Sequence, residues 1–130
     1  MTQDDKDLLI KDLSARFHYG VHIHCYCLFN QDNVEPLYSL RECNGNIRIN
    51  DVYCINEVKP YLFPLSTMTD EQSKELEEID PEFYSLICEN GDICVSMDVR
   101  GYDWLNKNHL DYRGLIGRGL ALDATGLNIY

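Results

Sequence analysis

The sequence has little positive charge and no long apolar run, and these two deficits limit what the protein can be. It holds 11 Lys and Arg residues against 22 Asp and Glu residues, a formal net charge of −11 at pH 7. This charge argues against binding a phosphate backbone over a broad surface. No stretch approaches the roughly 20 apolar residues of a membrane span, and the acidic start lacks a secretory-signal pattern. We therefore expect a cytoplasmic protein without membrane contact.

Recognised catalytic motifs are also missing. Gly114, Gly117 and Gly119 have neither of the spacings that cradle nucleotide phosphates. No serine has the flanking residues of a nucleophile elbow, and no cysteine has a protease-like context. We therefore predict no catalytic residue and no cofactor, and we favour a protein that is not an enzyme.

The six cysteines include no CxxC pair, and the closest spacing is Cys25-Tyr26-Cys27. In the reducing compartment expected above, cysteine behaves as a small buried hydrophobic residue rather than as a disulfide partner. The sequence therefore predicts free and mostly buried thiols.

What the sequence does contain is enough apolar material for one core. Of its 130 residues, 45 % are hydrophobic, and a domain of this size buries roughly two-thirds of its unfolded surface. No linker, repeat or low-complexity tract divides it. We predict a single domain over residues 1–130. Its class is α+β, with an N-terminal helix, an antiparallel β-meander, and two or three short helices in the C-terminal half.

The N-terminal half carries one helical pattern followed by strand patterns. Thr2 and Asp5 form a loose capping box. The helical spacing of four apolar residues, Leu9, Ile10, Leu13 and Phe17, places them in one stripe and predicts a helix over about 3–17. From Val21 the apolar period becomes two. A strand is predicted over Val21–Phe29, followed by a turn over Asn30–Asn33. A second strand over Val34–Leu40 contains Pro36 and is therefore expected at a sheet edge. A hairpin around Asn44-Gly45 and a strand over Val52–Val58 complete the predicted order.

The C-terminal half is less regular. The prolines of Lys59–Leu65 exclude a central strand there and predict a packed crossover. Thr69 and Gln72 form a capping box that opens a helix ending near Ile79. The remaining expectations are helix or strand over Phe83–Cys88, a strand over Ile93–Val99, a helix over Trp104–Leu110 capped by Asp103, and a short turn over Tyr112–Ile116 capped by Asp111.

Several blocks of the sequence resemble a known group of proteins. In the middle and the C-terminal part they are Lys59–Thr69, Asp103–Asn106, His109–Ile116 and Gly119–Leu122. Near the start they are Leu8–Leu13, Arg16 and Tyr19–Val21. These blocks resemble small proteins of gut Bacteroidales, often found in phage or mobile-element settings, whose function is not characterised. The resemblance covers about half the chain. It implies a setting, that of a phage or mobile-element accessory factor, and no activity.

An acidic block occupies Asp70–Glu82, where seven carboxylates accompany one lysine, Lys74. Such blocks are usually a solvated helix face that keeps a protein soluble. A less common alternative is a surface that imitates nucleic acid and occupies a basic site on another protein. That alternative requires the carboxylates to share one face.

Two histidines, His22 and His24, are the weak candidates for a metal site. On a strand they share a face about 7 Å apart, which suits chelation. A zinc site needs at least a third ligand, from among His18, Asp51, Cys43 and Cys54. The polar side of a half-buried strand is the simpler interpretation, and it is the one we favour.

The aromatic residues Tyr53, Tyr61, Phe63 and Trp104 are expected to fill the core rather than to form a stacking platform. For function, the main hypothesis is a non-enzymatic adaptor that binds an unidentified protein partner. The alternatives are a small metal-dependent enzyme using His22 and His24, and a phage structural component. The predicted partner-binding residues are Asp70, Glu71, Glu75, Glu78, Trp104, His109, Tyr112 and Arg113.

Overall fold

The protein has a mixed α+β fold, seen in a computed structural model that describes residues 1–27, 30–79 and 99–130. The helices are α1 (Gln3–Arg16), α2 (Asp70–Ile79) and α3 (Val99–Lys107). The strands are β1 (His22–Cys27), β2 (Asn30–Pro36), β3 (Leu40–Cys43), β4 (Asn46–Ile49), β5 (Tyr53–Cys54), β6 (Val58–Pro64), β7 (Leu110–Asp111) and β8 (Leu122–Asp123). Short 3-10 turns cover Phe17–Tyr19, Ile55–Glu57 and Leu65–Thr67.

The strands form two sheets. A five-stranded sheet has the order β2-β1-β6-β7, and β8 also pairs with β6. Strands β1 and β2 are antiparallel, as are β1 and β6, whereas β7 and β8 run parallel to β6. A separate three-stranded sheet, β3-β4-β5, is antiparallel throughout. The predicted meander is thus present, but it is divided between two sheets.

Helix α1 begins as its sequence predicts. The Thr2 hydroxyl accepts the Asp5 backbone N–H at 3.1 Å, and the Asp5 carboxylate accepts the Thr2 backbone N–H at 3.4 Å. These bonds satisfy amide groups that would have no partner within the helix. Leu9 and Leu13, from the predicted stripe, are fully buried. Gly20, with φ +71°, ends the 3-10 turn that follows α1.

Strand β1 has the predicted alternation, but the turn expected over Asn30–Asn33 is wrong. Val21, Ile23 and Cys25 are buried, whereas His22 is half-buried. Residues 30–33 belong to β2, which pairs with β1 across a register shift between Cys25 and Cys27. Pairing with a buried neighbour therefore overrides the turn preference of the asparagines. The strand expected over Val34–Leu40 ends at Pro36, and β2 lies at the sheet edge as predicted.

The hairpin around Asn44-Gly45 is confirmed, because both residues have positive φ, 52° and 81°, and β3 pairs with β4. The strand predicted over Val52–Val58 is interrupted. Tyr53–Cys54 form β5, a 3-10 turn covers Ile55–Glu57, and Val58 begins β6. The Glu57 side chain accepts the Cys54 backbone N–H at 2.9 Å. This local bond favours the turn over a continued strand.

The prediction that Lys59–Leu65 is a crossover and not a central strand is wrong. Most of this segment forms β6, which lies between β1 and the strands β7 and β8. Pro64 is the last residue of the strand, where its missing donor does least harm. Pro60 lies inside the strand and is paired with Ile23 of β1. Between the prolines, the Phe63 N–H donates to His109 O and the Leu62 carbonyl accepts from the Ala124 N–H, each at 2.8 Å.

Helix α2 begins with the predicted capping box of Thr69 and Gln72. Helix α3 starts at Val99, four residues before Asp103, so Asp103 lies inside the helix and the expected N-cap is wrong. The helix also ends at Lys107, because His109 has φ +59° and Leu110 begins β7. The prediction for Phe83–Cys88 lies outside the described residues. So do residues 93–98 of the strand predicted over Ile93–Val99, whereas Val99 itself is helical and not extended.

Two apolar clusters hold the fold together. The first joins α1 to one face of the large sheet and includes Leu9, Leu13, Ile23, Leu62 and Leu115. The second joins α2 and α3 to the end of the sheet and includes Leu76, Trp104, Leu105, Leu110 and Tyr112. Tyr53, Tyr61 and Trp104 are buried, as expected of core aromatics.

Three cysteines with described side chains are free, as predicted, but only Cys25 is buried; Cys54 is half-buried and Cys43 exposed. Burial, followed by the charge of Glu35, raises the pKa of Cys25 to about 12. The Cys25 thiol is therefore unreactive at neutral pH. Among the residues that the structure describes, no helix is long and apolar enough to cross a membrane.

Candidate functional site

A buried ionic cluster lies where α1 meets β7 and the residues that follow it. The side chains of Asp12 and Arg16 are fully buried, and Arg16 Nε lies 3.0 Å and 3.1 Å from the two carboxylate oxygens of Asp12. Arg113 Nη1 lies 2.7 Å from Asp12 Oδ1, and the Arg113 side chain is 15 % exposed. One carboxylate thus balances two guanidinium groups, so the cluster carries a net positive charge.

Arg16 also ties α1 to the sheet. Its Nη2 group donates to Leu110 O at 2.7 Å. Its Nη1 atom is buried and has no hydrogen-bond partner within the described ranges. A buried charge is tolerated only when most of its donors are paired, so the contacts with Asp12 and Leu110 hold this corner of the fold together.

Tyr112 packs against both guanidinium groups. Its ring centre lies 5.3 Å from Arg16 Cζ and 4.5 Å from Arg113 Cζ, within the range of cation–π attraction. Its hydroxyl donates to Asn106 Oδ1 at 2.9 Å. Burial raises the pKa of Tyr112, although the nearby arginines act in the opposite direction. The tyrosine stays neutral and serves as a packing and hydrogen-bonding group.

Asp111 caps a turn that begins later than the predicted one over Tyr112–Ile116, because the turn residues are 115–119. Its carboxylate oxygens accept the backbone N–H groups of Leu115 and Ile116, both at 2.9 Å. The residues after it form turns rather than a helix. Asp111 is 8 % exposed, so its charge is committed to shaping this segment.

An aromatic cluster surrounds Tyr130. The Tyr130 ring stacks on the His109 ring with centroids 3.8 Å apart and an interplanar angle of 13°. The His22 ring meets it edge-on at 5.2 Å, and the Phe63 ring is tilted against it at 5.8 Å. Burial, followed by the charges of Arg16 and His22, lowers the pKa of His109 to about 4. His109 is therefore a neutral stacking surface at physiological pH.

The hydroxyl of Tyr130 forms two hydrogen bonds with the backbone, one as acceptor and one as donor. It accepts the His22 backbone N–H at 2.8 Å and donates to Tyr61 O at 2.7 Å. Burial raises the pKa of Tyr130 to about 12. The phenol is thus neutral and held between a donor on β1 and an acceptor on β6.

The third feature is the acidic side of α2. Asp70, Glu71, Glu75 and Glu78 are all exposed. At 100° per residue they fall within an arc of roughly 140°, and the fully buried Leu76 lies on the opposite side. Lys74 shares their side, but no ion pair joins it to these carboxylates within the described part of the chain.

The eight residues predicted to bind a partner thus divide into two groups. Those on α2 are exposed, whereas Trp104 and Tyr112 are only 5 % and 7 % exposed and pack in the second apolar cluster with Leu76. His109 is half-buried beneath Tyr130, and Arg113 is paired with Asp12. Partner binding stays a prediction for all eight, and only the α2 residues offer side chains that are free to contact another molecule.

The metal candidates His22 and His24 are half-buried on the same face of β1. The His22 ring contacts Tyr130, and the His24 ring lies 6.3 Å from that of Tyr61. Over residues 1–27, 30–79 and 99–130, no group of three or more His, Cys, Asp or Glu side chains is arranged to hold a metal ion. The described residues therefore supply neither histidine with the additional ligands that zinc needs.

Two surface clefts lie beside the large sheet. One, of about 260 Å³, is lined by Phe63, Thr67, Thr69, Gln72, Leu110, Thr125 and Gly126. The other, of about 310 Å³, is lined by His24, Tyr26, Asn56, Glu57, Lys59 and Leu122. The first shares Phe63 with the aromatic cluster around Tyr130.

Sequence reasoning missed Asp12, Arg16 and Tyr130. A signal for the first two exists, because positions 9, 12, 13 and 16 follow the i, i+3, i+4, i+7 spacing of one helix face. An Asp and an Arg four residues apart on an apolar face indicate a buried ion pair. No local pattern marks Tyr130, whose partner His22 is 108 residues away in the sequence.

The chain matches no protein-family model, no curated protein and no solved structure in the comparisons made. Function is therefore argued from its residues and their arrangement.

Proposed function

We propose that this protein is a non-enzymatic binding protein that contacts a basic surface of a protein partner through α2. The contact surface, called here the acidic face, consists of Asp70, Glu71, Glu75 and Glu78. The observation that carries the proposal is that these carboxylates are exposed on one side of the helix, while Leu76 anchors the other side.

Charge supports this assignment. The four carboxylates outnumber Lys74, the lysine on their side of the helix. Such an excess of negative charge produces a field that accelerates encounter with an oppositely charged partner. Asp70 and Glu71 lie in the first turn of α2, where negative charge stabilises a helix. Glu75 and Glu78 lie beyond that turn, and no residue in the described ranges forms an ion pair with the acidic face. The net charge of −11 disfavours a nucleic-acid backbone as partner and favours a basic protein surface.

The buried polar residues support a role without chemistry. Asp12, Arg16 and Asp111 are engaged in contacts that shape the fold. The resemblance to proteins of phage and mobile-element settings is consistent with an accessory factor that acts by protein contact. Neither the metal-dependent enzyme nor the phage structural component gains a specific observation from the described residues.

The experiment is an affinity capture from lysate of the natural host, performed at 0.1 M and 0.5 M salt with three proteins. The first is the wild type, and the second carries Asp70→Asn, Glu71→Gln, Glu75→Gln and Glu78→Gln. The third is a matched control with four other exposed carboxylates neutralised: Asp4→Asn, Asp7→Asn, Glu42→Gln and Asp103→Asn.

The proposal predicts a stoichiometric protein partner that the wild type and the control capture at 0.1 M salt. The variant of the acidic face should capture at least about tenfold less, and 0.5 M salt should release the partner, since screening weakens exposed charge contacts. A partner retained equally by both neutralised variants would exclude the acidic face as the contact surface.

A further inference from the structure

The contacts around Tyr130 define a binding site whose chemistry is independent of the acidic face. Tyr130 is 41 % exposed and therefore remains partly open to solvent. Four residues from three parts of the fold contact its ring and hydroxyl, and we call them the phenol slot: His22, Tyr61, Phe63 and His109. Each contact in it matches one feature of a phenol. The flat ring lies on His109 at 3.8 Å, and its edges meet the rings of His22 and Phe63.

The polar end of the slot is equally specific. A hydroxyl can accept one hydrogen bond and donate another at the same time. The slot supplies a donor, the His22 N–H at 2.8 Å, and an acceptor, the Tyr61 carbonyl at 2.7 Å. Both are backbone groups of paired strands, β1 and β6, so their positions do not depend on side-chain rotamers. A ring without a hydroxyl could make neither of these two hydrogen bonds.

Tyr130 is held in the slot by a weakly anchored segment. Ala124 is 2 % exposed, and its N–H donates to Leu62 O at 2.8 Å. Between this anchor and Tyr130, residues 125–128 are exposed and Ile129 is half-buried. Exposed segments with few buried contacts open locally at low free energy.

The slot also offers hydrogen-bonding atoms and adjacent space that Tyr130 does not use. The Nδ1 atoms of His22 and His109 are buried and have no hydrogen-bond partner within the described residues. The adjacent cleft of about 260 Å³ is lined by Phe63, Leu110 and three polar side chains, and its other wall is formed by Thr125 and Gly126 of the segment that carries Tyr130. Movement of this segment would join cleft and slot.

We propose that the phenol slot is a recognition site for a p-hydroxyphenyl group and that Tyr130 occupies it as an internal competitor. An incoming phenol takes the same stacking position on His109 and the same two backbone hydrogen bonds. The ligand is either a small phenol or a tyrosine side chain of another polypeptide, and these sources share the chemistry that the slot recognises.

The test measures binding of three probes by NMR titration: p-cresol, N-acetyl-tyrosinamide and N-acetyl-phenylalaninamide. The proteins are the wild type, Tyr130→Phe and Tyr130→Ala, each first shown to be folded by circular dichroism. Tyr130→Phe keeps the ring and loses only the hydroxyl, so the test does not depend on the more drastic variant being stable.

Affinity for p-cresol should increase from wild type to Tyr130→Phe to Tyr130→Ala, because the internal competitor is progressively weakened. A fragment of this size binds at about millimolar concentration. N-acetyl-tyrosinamide should bind Tyr130→Ala about tenfold more tightly than N-acetyl-phenylalaninamide, since the latter has no hydroxyl to form the two backbone hydrogen bonds. In the Tyr130→Ala background, His109→Ala should abolish binding and His18→Ala, a change at an exposed histidine, should not.

The probes also distinguish the sources. Tighter binding of N-acetyl-tyrosinamide than of p-cresol indicates a polypeptide ligand, and equal or weaker binding indicates a small phenol. The proposal is overturned if the folded Tyr130 variants bind p-cresol no better than the wild type. It is also overturned if the tyrosine and phenylalanine probes bind equally.

Discussion

Carboxylates serve opposite purposes in two regions of this protein. On α1, Asp12 is fully buried and contacts two arginines, at 3.0 Å and 2.7 Å. On α2, Glu75 and Glu78 are exposed and have no ion-pair partner in the described ranges. The charge of Asp12 holds structural elements together, whereas the charges on α2 remain available for contact with another molecule.

The comparison shows that burial, more than residue type, decides what a charge does. A buried ion whose partner is removed is costly, because water cannot replace the lost contact. An exposed ion remains solvated whether or not it has a partner, and its removal changes stability little. Stability and partner binding should therefore respond to different carboxylates, and the following variants test that separation.

The largest effect is expected at Asp12. Asp12→Asn removes the charge that balances Arg16 and Arg113, so the free energy of unfolding should fall by about 3–5 kcal/mol. Urea unfolding followed by circular dichroism measures the change. The control is Asp7→Asn, an exposed carboxylate on the same helix, which should stay within about 0.5 kcal/mol of the wild type. A loss below about 1 kcal/mol at Asp12 would contradict the role assigned to the cluster.

A smaller loss is expected at Tyr112. Tyr112→Phe keeps the ring between the arginines but leaves the Asn106 side-chain oxygen without its bond of 2.9 Å. An unsatisfied buried acceptor costs about 1–3 kcal/mol of unfolding free energy. Tyr26→Phe is the matched control, because Tyr26 is 50 % exposed. Equal effects of the two changes would show that the Tyr112 hydroxyl does not stabilise the fold.

The pH dependence of stability should carry a contribution from His109. Its pKa is about 4 in the folded protein against an ordinary value of 6.5. Between these values the unfolded chain binds a proton that the folded protein excludes, so stability falls as pH decreases from about 6.5 to about 4. Below that range the contribution is constant.

The measurement compares melting temperatures from pH 7.5 to pH 3.5 for the wild type and His109→Gln. The difference between the two curves should change between pH 6.5 and pH 4, because the glutamine does not titrate. His18→Gln, at an exposed histidine, is measured alongside as the matched substitution. Parallel curves for the wild type and His109→Gln would show that His109 titrates normally in the folded protein.

The smallest effect on stability is expected on α2. Glu75→Gln with Glu78→Gln removes two exposed charges from the later part of the helix, where negative charge opposes the helix dipole. The free energy of unfolding should stay within about 0.5 kcal/mol of the wild type, with any change being a gain. A loss above about 1 kcal/mol would mean that these glutamates support the fold and are not reserved for binding.

Features that depend on neighbouring residues could be predicted from the sequence. The capping boxes at Thr2 and Thr69 and the hairpin at Asn44-Gly45 are local, because their bonds join residues only a few positions apart. The α+β class follows from the helical period of α1 and the alternation in β1. These patterns reflect short-range geometry that the folded structure retains.

Features that depend on distant partners could not be predicted in this way. Arg16 bonds to Leu110, 94 residues away, and Arg113 bonds to Asp12, 101 residues away. Strand β6 was missed because its prolines suggest a break, whereas the residues between them bond to segments much later in the chain. The acidic face could be predicted from the composition of Asp70–Glu82. The phenol slot could not be predicted, because its residues come together only in the folded structure.

The central claim is that the acidic face binds and the buried cluster only supports the fold. Its most direct test is a titration of the captured partner into the wild type and into the variant of the acidic face, at salt concentrations from 0.1 M to 0.5 M. The account predicts equal unfolding free energies within about 1 kcal/mol, with an affinity at 0.1 M salt at least about tenfold weaker for the variant and a smaller salt dependence. Equal affinity and equal salt dependence for the two proteins would contradict it.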